Sequence, residues 1–520
     1  MIERINLASV NTNSTPPQKS KPQFTGLVDG LVKTVQVFEQ NPMANVTFLD
    51  VTTAIGPRTI YESQTNGFAG FEAFRRESSG LIVNCLIPGA IVWGAANLLQ
   101  APIMGAGSTM ASSWADEDTI KTVAKYFKAA EGEGEVKVRN TYINMTKDLY
   151  GKDGDENVLF KDFNHDKSIK KLTDATVRPT KYSEKQVKKA IELIAQQTHV
   201  TEHVNIGHGE GKYTGKLSAI IGEAPTIIKE LLKPKNADIE KFIKKSTKLV
   251  TAKSLMGLGI VIPLAISMQP INRWITAKTS GKKGAPIYRD YATSKPKELT
   301  AKEKADLFSH KLVSASAMVG VALLSVMKKP SVAMLKKITQ FNGIFPTMDQ
   351  ARIISTATFA SRMMASEDKN DLREATVRDI ATFSAFYFLG DYVAKGIATL
   401  MPKYKLINRL EGFDKNTTGL KKFWNWAKNT SLKSSDEIAS AAGKKMRSVC
   451  QLGNIGFSLV ALGFLIPMIT RTKTDKQHEE DLKKSGVDEA TIEKFYPHLM
   501  MNSPAHAKKG NVYQAFFTAK

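Results

Sequence analysis

Asp391 and Lys395 form the first pair in this sequence whose type and spacing suggest chemistry. Both lie inside an apolar stretch, residues 380–401, that contains no other charged side chain. Residues four apart share one face of a helix and can form an ion pair. Charges at membrane depth are costly and usually face a partner or a water path, so one interpretation is a proton or ion relay. The alternative is that Lys395 extends to the membrane surface and Asp391 only neutralises it.

A second pattern, His199-Val-Thr-Glu-His203, has the His-x-x-Glu-His spacing of inverted-zincin metallopeptidases. On a helix, His199 and His203 would lie on one face and bind zinc, with Glu202 as the general base. His208 is a candidate third ligand. The glycine-rich residues that follow favour the alternative, which is a solvated loop.

A third pattern places oxygen-bearing residues at positions one, three, five and seven of a calcium-loop template. These residues are Asp162, Asn164, Asp166 and Ser168. Lys167 replaces the glycine at position six, and Thr173 replaces the glutamate at position twelve. A weak calcium loop is one interpretation and a polar turn is the other. No other cofactor and no catalytic residue is predicted.

The elements that would carry these residues are apolar helices. Glu77 and Asp116 bracket about 38 residues without a charged side chain. Residues 80–100 of this run would form a helix of about 30 Å, which matches the hydrocarbon core of a bilayer. The alternative is a buried helix of a large soluble protein. We interpret the run as a membrane span.

Four further apolar stretches resemble spans: residues 254–272, 312–327, 380–401 and 448–470. The stretch 312–327 would be only about 24 Å long, so it is either a tilted or thinned span or a buried helix. The predicted fold is therefore all-α, a multi-pass helical membrane protein of about 4–5 spans with a soluble helical insert, residues 116–250.

The chain divides into seven predicted regions. They are a disordered tail (1–30), interfacial helices with the first span (31–115), the water-facing insert (116–250), the second and third spans (251–350), an amphipathic helix with the fourth span (351–402), a basic amphipathic connector with the fifth span (403–470) and a soluble C-terminal tail (471–520).

Prolines suggest a two-unit internal repeat. The segments 258–263 and 462–467 both fit Leu-Gly-x-x-Ile-Pro, ending at Pro263 and Pro467, and Pro88 ends a looser relative. A proline removes a backbone hydrogen bond and kinks a helix, and matched breaks in two halves of a transporter point to a central site. The first unit would contain the spans at residues 80–100 and 254–272, and the second unit those at residues 380–401 and 448–470. If residues 312–327 also cross the membrane, the second unit enters the membrane from the side opposite to the first and is inverted. The alternative is chance, because Gly and Pro are common in spans.

The net charge of +23 predicts an anionic partner, either nucleic acid or anionic lipid. The tryptophans lie in or beside apolar or amphipathic segments, which favours a bilayer with anionic lipids over nucleic acid. The predicted interface anchors are Trp274, Trp424, Trp426 and the Arg-Glu pairs that precede the first and fourth spans, Arg76, Glu77, Arg373 and Glu374.

The segments 56–60, 74–77 and 85–89 (Gly-Pro-Arg-Thr-Ile, Phe-Arg-Arg-Glu and Cys-Leu-Ile-Pro-Gly) resemble segments of a group of functionally uncharacterised bacterial membrane proteins. The resemblance covers about the first hundred residues and the Arg-Glu pair before the fourth span, and it implies no known activity, fold or catalytic residue. The predicted location is a membrane, the inner membrane of a bacterium. Three functions stay open. They are transport or conductance of a small solute or ion, a structural role in tethering or shaping anionic membrane, and a zinc-dependent membrane peptidase.

Overall fold

The computed structural model describes residues 35, 42–151, 166–198, 204–207, 212–291, 299–326, 337–401, 407–410, 418–433, 438 and 441–496. These residues are mostly helical, which confirms the all-α prediction. The predicted N-terminal tail and the final 24 residues, 497–520, lie outside the described residues.

Within the described residues, four short π-helical segments interrupt the helices. In chain order the helices outside the insert are α1 (Pro42–Leu49), π1 (Asp50–Ile55), α2 (Gly56–Ser63), α3 (Gly67–Leu81), π2 (Ile82–Leu86) and α4 (Pro88–Met104). After the insert follow α10 (Ile239–Ser280), α11 (Ala301–Val326), α12 (Met348–Met364), α13 (Lys369–Ser384), π3 (Ala385–Leu389), α14 (Gly390–Leu400), α15 (Gly419–Asn429), α16 (Ala441–Val460), π4 (Ala461–Leu465), α17 (Ile466–Lys484) and α18 (Glu489–Phe495). The strands β4 (Asn408–Leu410) and β5 (Thr430–Leu432) pair antiparallel beside α15.

The insert has a hydrophobic core that includes Ile120, Tyr142 and Ile220. Its elements are α5 (Glu117–Ala129), α6 (Gly134–Lys147), β1 (Leu149–Gly151), α7 (Asp166–Val177), α8 (Ser183–Thr198), β2 (Val204–Ile206), β3 (Tyr213–Gly215) and α9 (Leu217–Leu231). The three strands form one antiparallel sheet in the order β1-β2-β3. Met104 and Leu249 join the core, so the insert packs on the ends of α4 and α10. Because α10 starts at Ile239, the predicted boundary at residue 250 falls within one helix.

Three helices of the described chain are long and apolar enough to cross a membrane. They are α10, α11 and the continuous helix formed by α16, π4 and α17. A fourth crossing results if α3–π2 and α4, which meet at a bend of 42°, count as one broken span. The predicted span at residues 380–401 is not among them. Unlike the three helices, it carries an acidic and a basic residue, Asp391 and Lys395, inside its apolar stretch.

Exposed apolar side chains form a belt around these helices. On α10 they run from Leu255 to Trp274, and on α16–π4–α17 from Val449 to Ile469. At 1.5 Å per residue each run is about 30 Å long, the thickness of a bilayer core. In the first predicted span Val92 is fully buried while Leu98 is 68% exposed. That helix is therefore not enclosed on every side, and the belt fits lipid better than water.

The bundle contains two helix hairpins. In hairpin A, the chain α3–π2–α4 packs antiparallel to α10: Ser246 lies against Met104 at one end, and Gln269 lies 3.5 Å from Glu72 towards the other. In hairpin B, the chain α13–π3–α14 packs in the same manner against α16–π4–α17. Each hairpin thus joins a helix with a π segment near its middle to a long partner helix.

The two hairpins point in the same direction. The N-cap residues of α3 and α13, Asn66 and Asp368, meet a single loop: Asn66 donates to the carbonyls of Pro286 and Tyr288, and the Tyr288 hydroxyl donates to Asp368. We call this the N-cap end. The predicted inversion of the second unit is therefore wrong.

The two hairpins point in the same direction because of the helix α12. It runs back beside α11, because Arg352 donates to the carbonyl of Ser325 while Met363 packs against Leu307. The sequence of α12 is too polar to suggest a traverse of the bundle, yet it returns the chain to the N-cap end before α13 begins.

The three predicted helix breaks have different outcomes. Pro88 opens α4 directly after π2, and Pro467 lies in the first turn of α17 directly after π4. Pro263 lies within the uninterrupted helix α10, as does Pro270. Two of the prolines therefore coincide with a change of helical hydrogen bonding, and Pro263 does not.

A charged cavity between the two hairpins

All four π segments line one cavity of about 50 Å³. Their contributions are Asp50, Ala54 and Ile55 from π1, Asn84 and Cys85 from π2, Phe386 and Tyr387 from π3, and Leu462 from π4. A π turn inserts one residue into a helix and is frequent at functional sites. Its effect here is that four helices turn their side chains towards one point between the hairpins.

Close backbone contacts hold the π segments together. A Cβ atom on Gly463 would lie 3.3 Å from the ring of Pro57 and 3.4 Å from the carbonyl oxygen of Thr53, so glycine lets π4 approach π1 and α2. The neighbouring carbonyl of Leu462 accepts from Arg58 Nε at 3.4 Å. The guanidinium of Arg58 also donates to Thr382 on α13 at 2.7 Å. Arg58 thus ties α2 to both chains of hairpin B.

Among the described residues, four charged side chains line the cavity: Asp50, Arg58, Glu77 and Arg362. Arg58 Nη1 lies 3.4 Å from Glu77 Oε1. Arg362, on α12, reaches Glu77 with one nitrogen at 3.6 Å and Asp379 with the other at 3.4 Å. Glu77 belongs to hairpin A and Asp379 to hairpin B, so Arg362 bridges the two hairpins.

These contacts continue into a buried group of ion pairs, which we call the charge cluster. Its described members are Arg58, Arg76, Arg362, Arg378 and Arg471 with Glu62, Glu77, Glu374 and Asp379. Five guanidinium groups therefore face four carboxylates. Arg273 forms a smaller neighbouring group with Glu72 and Asp371.

The charge cluster is incompletely hydrogen-bonded. Among the described residues, Arg362 Nε, Glu374 Oε2 and Asp379 Oδ2 are buried without a hydrogen-bond partner. Several of the ion pairs are between 3.3 and 3.8 Å long. A buried network with unsatisfied members is less favourable than an apolar core of the same volume. Folding alone is therefore a poor explanation for these groups.

Asp50 is on the cavity wall but not in the charge cluster. No hydrogen bond or ion pair joins its carboxylate to another described residue. Its nearest charged neighbours are Arg58, Glu77 and Arg362. It lies on π1, outside the helices that are apolar enough to span.

The two hairpins carry the same short motif at the charge cluster. Residues 72–77 and 374–379 both fit Glu-Ala-x-x-Arg-acid. In each copy the arginine Nε faces the next carboxylate, at 3.0 Å for Arg76 and Glu77 and at 3.3 Å for Arg378 and Asp379.

The first glutamate of each motif also contacts an arginine of the long partner helix. Arg273 of α10 lies 3.2 Å from Glu72, and Arg471 of α17 lies 3.4 Å from Glu374. The Arg-Glu pattern in the sequence pairs Arg76 with Arg373, which lies five residues before the true equivalent, Arg378. An alignment of the sequence with itself in which Asp and Glu count as equivalent finds the correct register.

The predicted interface anchors divide into two groups. Trp274 and Trp424 are exposed, as expected for headgroup contacts, and Trp426 donates to Thr399. Arg373 is partly exposed and donates to the carbonyl of Lys473. By contrast Arg76, Glu77 and Glu374 are buried in the charge cluster, so protein groups and not headgroups surround them.

The predicted relay pair lies away from the cavity. Lys395 Nζ is 2.7 Å from Asp391 Oδ2, as the spacing predicts for one helix face. The Asp391 side chain is 61% exposed, whereas the Lys395 side chain is 12% exposed and its ammonium lies over the Tyr392 ring. Neither residue lines the cavity. The exposure of Asp391 favours the alternative in which this carboxylate only neutralises Lys395.

The predicted metal ligands are only partly described. His199, Glu202, His203, His208, Asp162 and Asn164 lie outside the described residues. Asp166 begins helix α7 and Ser168 is buried within it. Among the described residues, no three His, Cys, Asp or Glu side chains are grouped as a metal site. The zinc site and the calcium loop both stay predictions.

The N-cap end holds a second polar group, outside the spans. His478 stacks on Tyr288 with ring centroids 3.9 Å apart, and its Nε2 lies 3.1 Å from Asp290. Burial would raise the pKa of the Asp290 carboxyl, but the hydrogen bond and charge of His478 outweigh it and lower that pKa. The same aspartate faces the Tyr496 hydroxyl, whose pKa is raised by burial. This group fastens α18 to the loop that holds both N-caps.

No protein-family model matches the sequence, and no curated protein or solved structure shows significant similarity to it.

Proposed function

We propose that this chain is an integral membrane protein that moves a small ion or solute through the cavity between its two hairpins. The observation that carries the proposal is the convergence of four π segments and four charged side chains on that cavity. Discontinuous helices around a central site are typical of transporters. The unsatisfied charge cluster beside the cavity supports a functional origin, because it is costly to fold.

The proposal includes a parallel two-unit repeat. The matched motifs at residues 72–77 and 374–379, the two π-interrupted hairpins and their shared N-cap end support it. In transporters with parallel repeats, the substrate site lies between the repeats. Relative rocking of two hairpins around Arg362 would then open the cavity alternately to each side. The resemblance to bacterial membrane proteins and the basic charge favour the inner membrane of a bacterium.

Flux from proteoliposomes tests the proposal. The full chain is reconstituted, and release or uptake of protons, K⁺, Na⁺, Cl⁻ and glycerol is measured against empty vesicles. We expect at least one of them to cross several-fold faster with the protein present. The matched variant Gly463→Val, which forces π4 away from Pro57, should abolish that flux while the protein stays in the vesicle fraction. Vesicles that contain protein but are as tight as empty ones to all five probes would contradict transport.

A second candidate, the tethering of anionic membrane, is favoured by the surface of α15. Leu420, Phe423 and Trp424 are exposed there beside the exposed residues Lys421 and Lys422. Apolar and basic side chains on one short helix suit the surface of an anionic bilayer. Proteoliposomes that clump added anionic vesicles, less so in high salt and less so with Lys421→Gln/Lys422→Gln, would support it. The control variant is Lys244→Gln/Lys245→Gln. If this variant reduces the clumping as much as the change on α15 does, the tethering role of α15 is contradicted.

A further inference from the structure

We propose that Asp50 is the proton-binding group of the cavity, so that the ion moved or coupled is a proton. This inference rests on the proposed function and names its ion. It begins from a carboxylate that faces a central cavity without a partner among the described residues, in a site where every other charged lining residue is ion-paired.

The groups around Asp50 oppose one another. Arg58 from α2 and Arg362 from α12 favour the charged carboxylate, while Glu77 from α3 and burial favour the protonated acid. Cys85 from π2 and Tyr387 from π3 complete the titratable groups that face it. Burial raises the pKa of the Asp50 carboxyl to about 7. Both protonation states are therefore accessible near neutral pH.

The charge cluster gives protonation a structural consequence. When Asp50 takes up a proton, its attraction to Arg58 and Arg362 is lost. Arg58 holds Thr382 and Leu462 of hairpin B, and Arg362 bridges Glu77 and Asp379. Protonation at one carboxylate therefore changes the forces between the two hairpins.

The size and lining of the cavity favour a proton over larger ligands. A volume of about 50 Å³ is enough for on the order of three water molecules but not for an organic solute. A metal cation would have to share this space with the guanidinium groups of Arg58 and Arg362, which repel it. A proton needs only the carboxylate oxygen and can reach it along hydroxyl groups such as those of Ser355 and Tyr387.

The test uses the full chain in vesicles that contain a pH-sensitive dye. A K⁺ gradient with valinomycin makes the interior negative, and proton entry is recorded as acidification. We expect the unmodified protein to acidify the vesicles at least tenfold faster than empty ones. Asp50→Asn should reduce the protein-dependent rate to near the empty-vesicle rate. Asp391→Asn, which removes an exposed carboxylate away from the cavity, should leave it unchanged.

Asp50→Glu provides a second readout, a shift in the pH profile, which does not require a complete loss of proton entry. The longer side chain keeps the titratable group but moves it relative to Arg58 and Arg362, so proton entry should persist with its pH of half-maximal rate shifted from near 7. If Asp50→Asn is not monodisperse in detergent, this shift alone decides the inference, and an unshifted profile overturns it.

The remaining outcomes separate the inference from the proposed function. If the protein conducts K⁺, Na⁺, Cl⁻ or glycerol but admits no protons, the role of Asp50 is overturned and transport stands. The same holds if protons enter equally fast with Asp50→Asn and with the unmodified protein. Absence of any flux from vesicles that contain the protein would overturn both.

Discussion

Glu77 and Asp379 share the guanidinium of a single residue, Arg362, although 302 positions of sequence separate them. The two carboxylates end equivalent motifs in hairpins A and B, and they lie 3.6 and 3.4 Å from Arg362. Arg362 comes from neither hairpin but from α12. The two halves of the bundle are therefore connected through a buried charge and not only through apolar packing.

Replacing this shared charge should destabilise the protein strongly. Arg362→Met leaves two buried carboxylates without one of their partners, at a cost of about 3–5 kcal/mol. We expect a large fall in the melting temperature of the purified protein in detergent. The control Arg178→Met removes an exposed ion pair with Glu135 and should change it little. A melting temperature of Arg362→Met equal to that of the control would contradict the bridging role.

The two motifs should respond alike to the same change. Glu72→Gln and Glu374→Gln each remove the carboxylate that faces an arginine of the long partner helix. Because the surroundings match, we expect losses of melting temperature that agree within a few degrees. Glu240→Gln, at an exposed ion pair with Lys128, is the control. A loss confined to one of the two motifs would argue against equivalent units.

Two glycines on α4 should give opposite results when replaced by alanine. A Cβ atom on Gly89 would lie 1.6 Å from the carbonyl oxygen of Ile344, whereas nothing lies within 4 Å of the same atom on Gly94. Gly89→Ala should cost about 3 kcal/mol through overpacking. Gly94→Ala should be neutral or stabilise by about 0.5–1 kcal/mol through helix propensity. Thermal unfolding in detergent measures both, and equal effects would refute the close contact of α4 with residue 344.

The group at the N-cap end predicts a pH dependence of stability. The folded-state pKa of Asp290 is lowered below its usual 3.8, so its stabilising contribution is present above about pH 4 and is lost as the pH falls through the lower folded value. Asp290→Asn should therefore lower the melting temperature at pH 6, with a difference from the unmodified protein that shrinks below pH 3.8. A difference that grows in acid would contradict the sign.

The apolar helices could be predicted from the sequence because length and hydropathy are local properties. The stretches 254–272 and 448–470 fall within helices that are apolar enough to span, and the described part of 312–327 overlaps a third. The direction of the second unit could not be predicted, because it depends on α12. That helix is polar in sequence, but its Arg362 is buried because it forms ion pairs with residues of two other helices.

The charge cluster was misjudged for a related reason. An Arg-Glu pair before an apolar run suggests the membrane surface, and only tertiary structure shows that Arg471 of α17 meets Glu62, 409 positions earlier. The π segments are only partly marked in the sequence. Prolines lie in the first helical turn after three of them: Pro57 after π1, Pro88 after π2 and Pro467 after π4. No proline follows π3 in α14, and nothing in the sequence indicates that the four segments meet, so the cavity itself was not predictable.

Spin-label accessibility along α10 tests the central claim, that lipid surrounds the apolar belt, most directly. Single cysteines replace Met256, Ile260, Ile266 and Ile271 in a chain without Cys85 and Cys450, and the labelled protein is reconstituted in vesicles. These exposed positions should collide often with oxygen and rarely with a water-soluble nickel reagent, most clearly near Ile260 and Ile266. The fully buried Val261 should be shielded from both. Frequent collisions of all four labels with the nickel reagent would place the belt in water and contradict the account.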